Sequence, residues 1–161
     1  MDRDALFQLG MDLDLPSTAQ TEDYRPEPAG AEAAEERKDF FVVKHGVRCA
    51  GTHLIIDLYG AKKLDDLAHI DAALRRCVDA AGATLLHIHL HHFTPNGGVS
   101  GVAVLAESHI SIHSWPEADY AAFDVFMCGQ ARPEATVEVL REAFAPDRVV
   151  VSEMLRGRGA A

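Results

Sequence analysis

No run of this chain stays apolar for the roughly 18–20 residues that a bilayer-spanning helix needs, and its opening stretch, MDRDALFQLGMDLDLP, is acidic where a secretory signal is basic. A membrane-spanning or secreted protein is therefore not expected, and a cytoplasmic one is. Cysteine is scarce. Cys49, Cys77 and Cys128 form an odd set without CxxC spacing, which argues against a disulfide framework or a zinc ribbon and for a reducing compartment. Basic clusters are missing as well: the formal charge is −10, and residues 1–39 carry 11 acidic side chains against 4 basic ones. With no basic face there is no electrostatic footprint for nucleic acid.

What is present suits a single globular domain, since 161 residues at 48% hydrophobic and 25% charged are enough to enclose a core. Residues 1–39 stand apart. Their acids, Pro16, Pro26, Pro28 and the run AGAEAAEER bury little, so a disordered extension is expected there, with Leu6, Phe7, Leu9, Met11, Leu13 and Leu15 as the material for a short docking helix. The folded domain is expected over residues 40–161. It opens with the short apolar piece Phe40–Val43, and His53–Tyr59 reads as a strand closed by Gly60. Leu67, Ile70, Leu74, Cys77, Val78 and Ala81 then recur at helical spacing, between a cap at Asp65 or Asp66 and Gly82.

Thr84 to Phe93 alternates, with Leu86, Ile88 and Leu90 on one face and Leu85, His87, His89 and His91 on the other. Pro95-Asn96-Gly97-Gly98 makes a turn. In the strand after Glu107, Ser108, Ile110, Ile112 and Ser114 share one face, opposite His109, Ser111, His113 and Trp115; Tyr120–Met127 alternates likewise and ends in Cys128-Gly129. Pro133 fits the first turn of a second helix, whose Val137, Leu140, Ala143 and Phe144 face inward, and Arg148–Leu155 is the last strand. This order suits an α+β fold with helices on one face of a mainly antiparallel sheet and the other face left for a dimer partner.

Three groups of residues bear on chemistry. The alternate histidines His87, His89 and His91, with His92, have the spacing of metal ligands on one strand face, or of half-buried histidines at an interface; no HxxxH or cysteine pair completes a usual set, and no metal site is assigned. Ser108 or Cys128 with His113 has the residue types of a hydrolase, yet there is no GxSxG elbow. The third group is the stretch GVSGVAVLAESHISIHSWPEADYAAFDVFMCG, in which one small sheet brings a hydroxyl, an imidazole and a thiol close together.

That stretch closely resembles the self-processing region of the prokaryotic S-adenosylmethionine decarboxylase proenzymes. GTHLIIDLYG, GATLL, HHFTPNGGVSG, AESHISIHSWPE and FDVFMCG stand in that family's order, and the resemblance runs from about Val47 to Arg148. It implies a chain that cuts itself between Glu107 and Ser108, giving a β chain of residues 1–107 and an α chain of residues 108–161 whose first residue becomes a pyruvoyl group. By position, Ser100 matches a hydroxyl that assists processing, His113 the base that removes the Ser108 α-proton, and Cys128 the proton donor of the decarboxylation. Phe93 matches an aromatic that stacks on adenine, and Glu117 the carboxylate that binds ribose hydroxyls.

The pyruvoyl takes the substrate amine as a Schiff base and replaces pyridoxal phosphate as electron sink. The resemblance also implies a two-layer α/β sandwich that pairs sheet to sheet, as a cytoplasmic homodimer of processed protomers. Such a protein makes decarboxylated S-adenosylmethionine, the aminopropyl donor for spermidine. The chain departs from the family pattern at Thr52, at His92 and at the doubled Gly97-Gly98, all near the implied substrate pocket. Two other readings are a pyruvoyl decarboxylase of a basic amino acid, arginine or ornithine, and an unprocessed metal-binding or regulatory protein.

Overall fold

The structure, a computed structural model, describes residues 20–21 and 40–160. Apart from Gln20–Thr21, the expectation for residues 1–39 lies outside the described residues. The strands are β1 (Gln20–Thr21), β2 (Val42–Lys44), β3 (Val47–Cys49), β4 (Gly51–Tyr59), β5 (Leu85–His92), β6 (Val99–Leu105), β7 (Ser108–Trp115), β8 (Tyr120–Met127) and β9 (Arg148–Arg156); the helices are α1 (Leu67–Ala81) and α2 (Ala135–Phe144). One seven-stranded sheet runs β1-β9-β4-β8-β7-β6-β5, antiparallel at every pairing, and β2 with β3 forms a separate hairpin.

Period-two alternation decides which face of the sheet the helices cover. Leu54, Ile56 and Leu58 of β4, Ile110 and Ile112 of β7, and Phe123 and Val125 of β8 point one way and are buried against Leu74, Cys77, Leu140 and Phe144 of the two helices. Each large side chain so enclosed contributes roughly 1.5–3 kcal/mol. α1 begins where the Asp66 carboxylate accepts the His69 amide at 2.9 Å, and it ends at Gly82 in the left-handed region, φ 66°. Pro133 lies just before α2 rather than in it, its carbonyl accepting both the amide and the hydroxyl of Thr136.

One predicted face is wrong at its start. A bulge between Leu85 and His87 shifts the register of β5, so that Leu85 joins Ile88 and Leu90 against the core while Leu86 is 63% exposed. The extra residue consumes one step of the alternation, which a strict period of two does not foresee.

Among the described residues no helix covers the second sheet face. Cross-strand rows run over it: Val104, His109, Phe126 and His53 in one; Val102, Ser111, Asp124 and Ile55 in the next; Ser100, His113, Ala122 and Asp57 in the third; Trp115, Tyr120 and Tyr59 in the fourth. The bulge gives a direct test by chemical denaturation. Leu85→Ala is expected to cost about 1–2 kcal/mol and Leu86→Ala less than about 0.5 kcal/mol, whereas unbroken alternation demands the reverse.

Candidate active site

Two clusters of polar side chains lie at opposite ends of β7. The first surrounds the tight β6–β7 turn. Ala106 donates its amide to the Thr84 carbonyl at 3.0 Å, and the Glu107 carboxylate accepts the Thr84 amide at 2.8 Å and the Thr84 hydroxyl at 3.2 Å. The Glu107 carbonyl accepts the backbone amide of Cys128 at 3.1 Å, because the register sets Ser108 opposite Met127 on β8. Side chain and carbonyl of Glu107 are thus both held.

Directly after this doubly held glutamate Ser108 adopts φ +146°, a backbone conformation that costs an L residue on the order of 1–3 kcal/mol. Its hydroxyl lies 3.2 Å from Nδ1 of His109. The Cys128 thiol sits above its usual pKa, chiefly through burial and also through the nearby Glu107 charge, while a backbone hydrogen bond pulls the other way. It therefore remains a proton-carrying thiol at neutral pH.

Beside this turn stands a network on the open face. Neutral His53 donates from Nε2 to Asp124 at 3.3 Å and accepts at Nδ1 from Arg156 at 3.1 Å, while Ser111 donates to the other Asp124 oxygen at 3.3 Å. Burial, the largest influence, lowers the His53 pKa below 6.5; Asp124 opposes it and Arg156 and His109 add to it.

The second cluster lies where β5 and β7 end and β6 begins. Ser100 and Nδ1 of His113 are 2.8 Å apart across the β6–β7 pair, and with Phe93, Trp115 and Glu117 they line a cavity of about 340 Å³. The loop after β5 is closed by two backbone bonds, Phe93 amide to Gly98 carbonyl at 2.8 Å and Gly97 amide to Phe93 carbonyl at 2.9 Å, which hold Phe93 at the rim. Ser114, buried under the cavity, donates to the Leu64 carbonyl at 2.7 Å and accepts the Val99 amide at 2.8 Å.

Ser108, Glu107 and Cys128 are therefore neighbours, and so are Ser100, His113, Phe93 and Glu117, but the two sets are not. Five residue steps along β7 lead from Ser108 to His113, about 17 Å at the rise of an antiparallel strand. Within one chain a Ser108–His113 or Cys128–His113 pair of the hydrolase kind does not form. Sequence patterns also left out Thr84, His53, His109 and Asp124. Alternation had put His109 on the open face, but no spacing rule ties Thr84 to a glutamate on another strand. The His87, His89 and His91 side chains are exposed, and among the described residues no three His, Cys, Asp or Glu side chains converge as metal ligands. No helix among the described residues is long and apolar enough to cross a membrane.

A family model described as S-adenosylmethionine decarboxylase matches residues 52–157. The S-adenosylmethionine decarboxylase proenzyme of Thermomicrobium roseum is 46% identical over 112 residues, covering 69% of this chain and 97% of the relative. That of Methanococcus vannielii is 50% identical over 110 residues, covering 66% and 89%. The crystal structure of the adenosylmethionine decarboxylase from Aquifex aeolicus superposes with a TM-score of 0.62 at 34% identity, covering 68% of this chain and 92% of the other.

The His53 environment has a measurable consequence. Its folded-state pKa is depressed, so on acidification from about pH 6.5 the unfolded chain takes up this proton before the folded one, and stability is lost as pH falls. Imidazole titration by NMR should give His53 a midpoint below 6.5, and Asp124→Asn should move it lower still. An upward move would contradict the balance of burial and charge described for this site.

Proposed function

The chain belongs to the S-adenosylmethionine decarboxylase family, and on that premise we propose that it is a proenzyme that cuts itself between Glu107 and Ser108 and then decarboxylates S-adenosylmethionine. The strained Ser108, directly after a glutamate held at both its carboxylate and its carbonyl, carries this reading. Attack of the Ser108 hydroxyl on the Glu107 carbonyl carbon places negative charge on an oxygen that already faces the Cys128 N–H, as in an oxyanion hole. The peptide becomes an ester; loss of the Ser108 α-proton then expels the new main-chain carboxylate of Glu107 and leaves a dehydroalanine, whose imine tautomer takes up water and releases the former Ser108 nitrogen as ammonia to give the pyruvoyl carbonyl.

The surroundings of Ser108 fit the pyruvoyl group this sequence of events would leave. The new chain end begins β7, paired on both sides by β6 and β8, and β4, from the β chain, lies between β8 and β9 of the α chain, so the two pieces stay interlocked. Bound there, the pyruvoyl supplies an electrophilic carbonyl that captures the substrate amine and accepts the electrons released with carbon dioxide. Cys128, held as a thiol, carries the proton that the substrate carbon then needs. Phe93 offers a face for adenine and Glu117 acceptors for ribose hydroxyls, on either side of one cavity. The product is the aminopropyl donor for spermidine.

The roughly 17 Å between Ser108 and the Ser100–His113 pair favours a site shared between two subunits. Packing the open faces of two copies about a two-fold that runs across the strands brings the Ser100, His113, Phe93 and Glu117 of one to the Ser108 and Cys128 of the other. Val104, Trp115 and Tyr59, each more than a third exposed on this face, supply apolar contact for it.

Intact-mass spectrometry tests the processing. The wild-type chain should appear as residues 1–107 and 108–161, the latter gaining mass on borohydride reduction, and Ser108→Ala should stay whole; cleavage of that variant after Glu107 would remove Ser108 from the chemistry. Cys128→Ala should still be cut but turn over about 10²–10⁴-fold more slowly. The shared site is tested by mixing: neither Ser108→Ala nor His113→Ala should be efficiently cut alone, whereas co-expression should yield cut His113→Ala chains. An uncut mixture of verified heterodimers would place the whole site within one subunit.

A further inference from the structure

Resting on the self-processing reading, we infer that His109 is the general base that activates Ser108 for its attack on the Glu107 carbonyl, a step distinct from the later α-proton removal assigned to His113. A serine hydroxyl is a weak nucleophile at neutral pH and needs a base within about 2.6–3.2 Å. His109 Nδ1 stands 3.2 Å from the Ser108 oxygen. The other candidates are engaged: the Glu107 carboxylate is bound to the amide and hydroxyl of Thr84, the same chain's His113 lies at the far end of the strand, and the His113 that a second copy brings to the shared site is already hydrogen-bonded to Ser100 and serves the later α-proton removal.

The same backbone distortion serves both purposes. In a regular strand Ser108 and His109 point to opposite faces, and φ +146° at Ser108 is what lets its hydroxyl meet the neighbouring imidazole. The ring is held edge-on between neighbours, its centroid 6.1 Å from that of Phe126 and 6.3 Å from that of His53. As the Ser108 oxygen bonds to the Glu107 carbonyl carbon, its proton passes to Nδ1, and the negative charge collects on the oxygen facing the Cys128 amide. When the carbon–nitrogen bond breaks, the imidazolium returns that proton to the Ser108 nitrogen, leaving an ester, a free amine and neutral His109. No outside reactant is required.

Hydroxylamine at neutral pH splits esters and spares ordinary amides, so it separates the two histidine roles. The experiment compares purified wild type, His109→Ala, His109→Gln and His113→Ala chains by intact mass, with and without hydroxylamine, and with imidazole added. Wild type should be cut unaided. His113→Ala should accumulate ester and be split after Glu107 by hydroxylamine. Both His109 variants should stay whole in hydroxylamine, process at least about 10²-fold more slowly, and regain part of the rate in imidazole.

The inference is overturned if a His109 variant is processed at the wild-type rate, or if hydroxylamine splits it as readily as His113→Ala. It is also overturned if a folded His109→Gln chain, melting like wild type, gains nothing from imidazole. An uncut wild type would instead bring down the self-processing reading itself; a cut wild type beside a normally cut His109 variant defeats only the role of His109.

Discussion

The hydrogen bond from the Cys128 amide to the Glu107 carbonyl, 3.1 Å long, is the contact around which the processing end of the molecule is arranged. It exists because β7 and β8 pair Ser108 with Met127, and because Gly129, with φ +63°, turns the chain away immediately afterwards. That glycine is held in turn by the Phe40 carbonyl, which accepts its amide at 2.9 Å. The segment leading into β2 therefore braces the strand end that binds the carbonyl. On the other side Thr84 fixes the Glu107 carboxylate. With Glu107 held at both groups and Ser108 registered against Met127, the strained conformation falls on Ser108.

Placing strain at one serine requires a rigid frame. The inward faces of β4, β7 and β8 provide it through Leu54, Ile56, Ile110, Ile112 and Phe123, which are almost entirely removed from solvent under α1 and α2. The sheet thus has a division of labour set by its two-residue period: one face for cohesion, the other for histidines, aspartates and hydroxyls. Asp124 illustrates the second face. It holds the Nε2–H of His53 while Arg156 holds the opposite ring nitrogen, so that the imidazole is kept neutral in one tautomer.

Much of this could be read from the sequence, and the exceptions have physical causes. The helical spacing of Leu67 to Ala81 and the capping residues at its ends gave α1, and alternation gave the faces of β7 and β8, since both patterns record burial on one side. Leu86 was assigned to the wrong face because a bulge leaves no mark on composition. The short motifs named Ser100, Ser108, His113 and Cys128 but were silent about distance. Ser108 and His113 are close in sequence, yet a strand is extended, so closeness in number becomes separation in space. Thr84, which meets Glu107 from 23 positions away, could be found only once β5 and β6 were paired.

The threading of β4 between β8 and β9 has a further consequence. Before cutting, the denatured state is one chain whose strands must search for each other at the high local concentration a covalent link guarantees. With the proposed cut it would be two molecules, and four of the six pairings of the seven-stranded sheet would join strands of different pieces. Recovery from denaturation then depends on total protein concentration and on a bimolecular encounter, while loss of the native state still demands that β4 be pulled from between two neighbours. A cut at this point would convert a reversible folding problem into persistence: the cut protein would endure by the slowness of coming apart more than by the ease of reassembling.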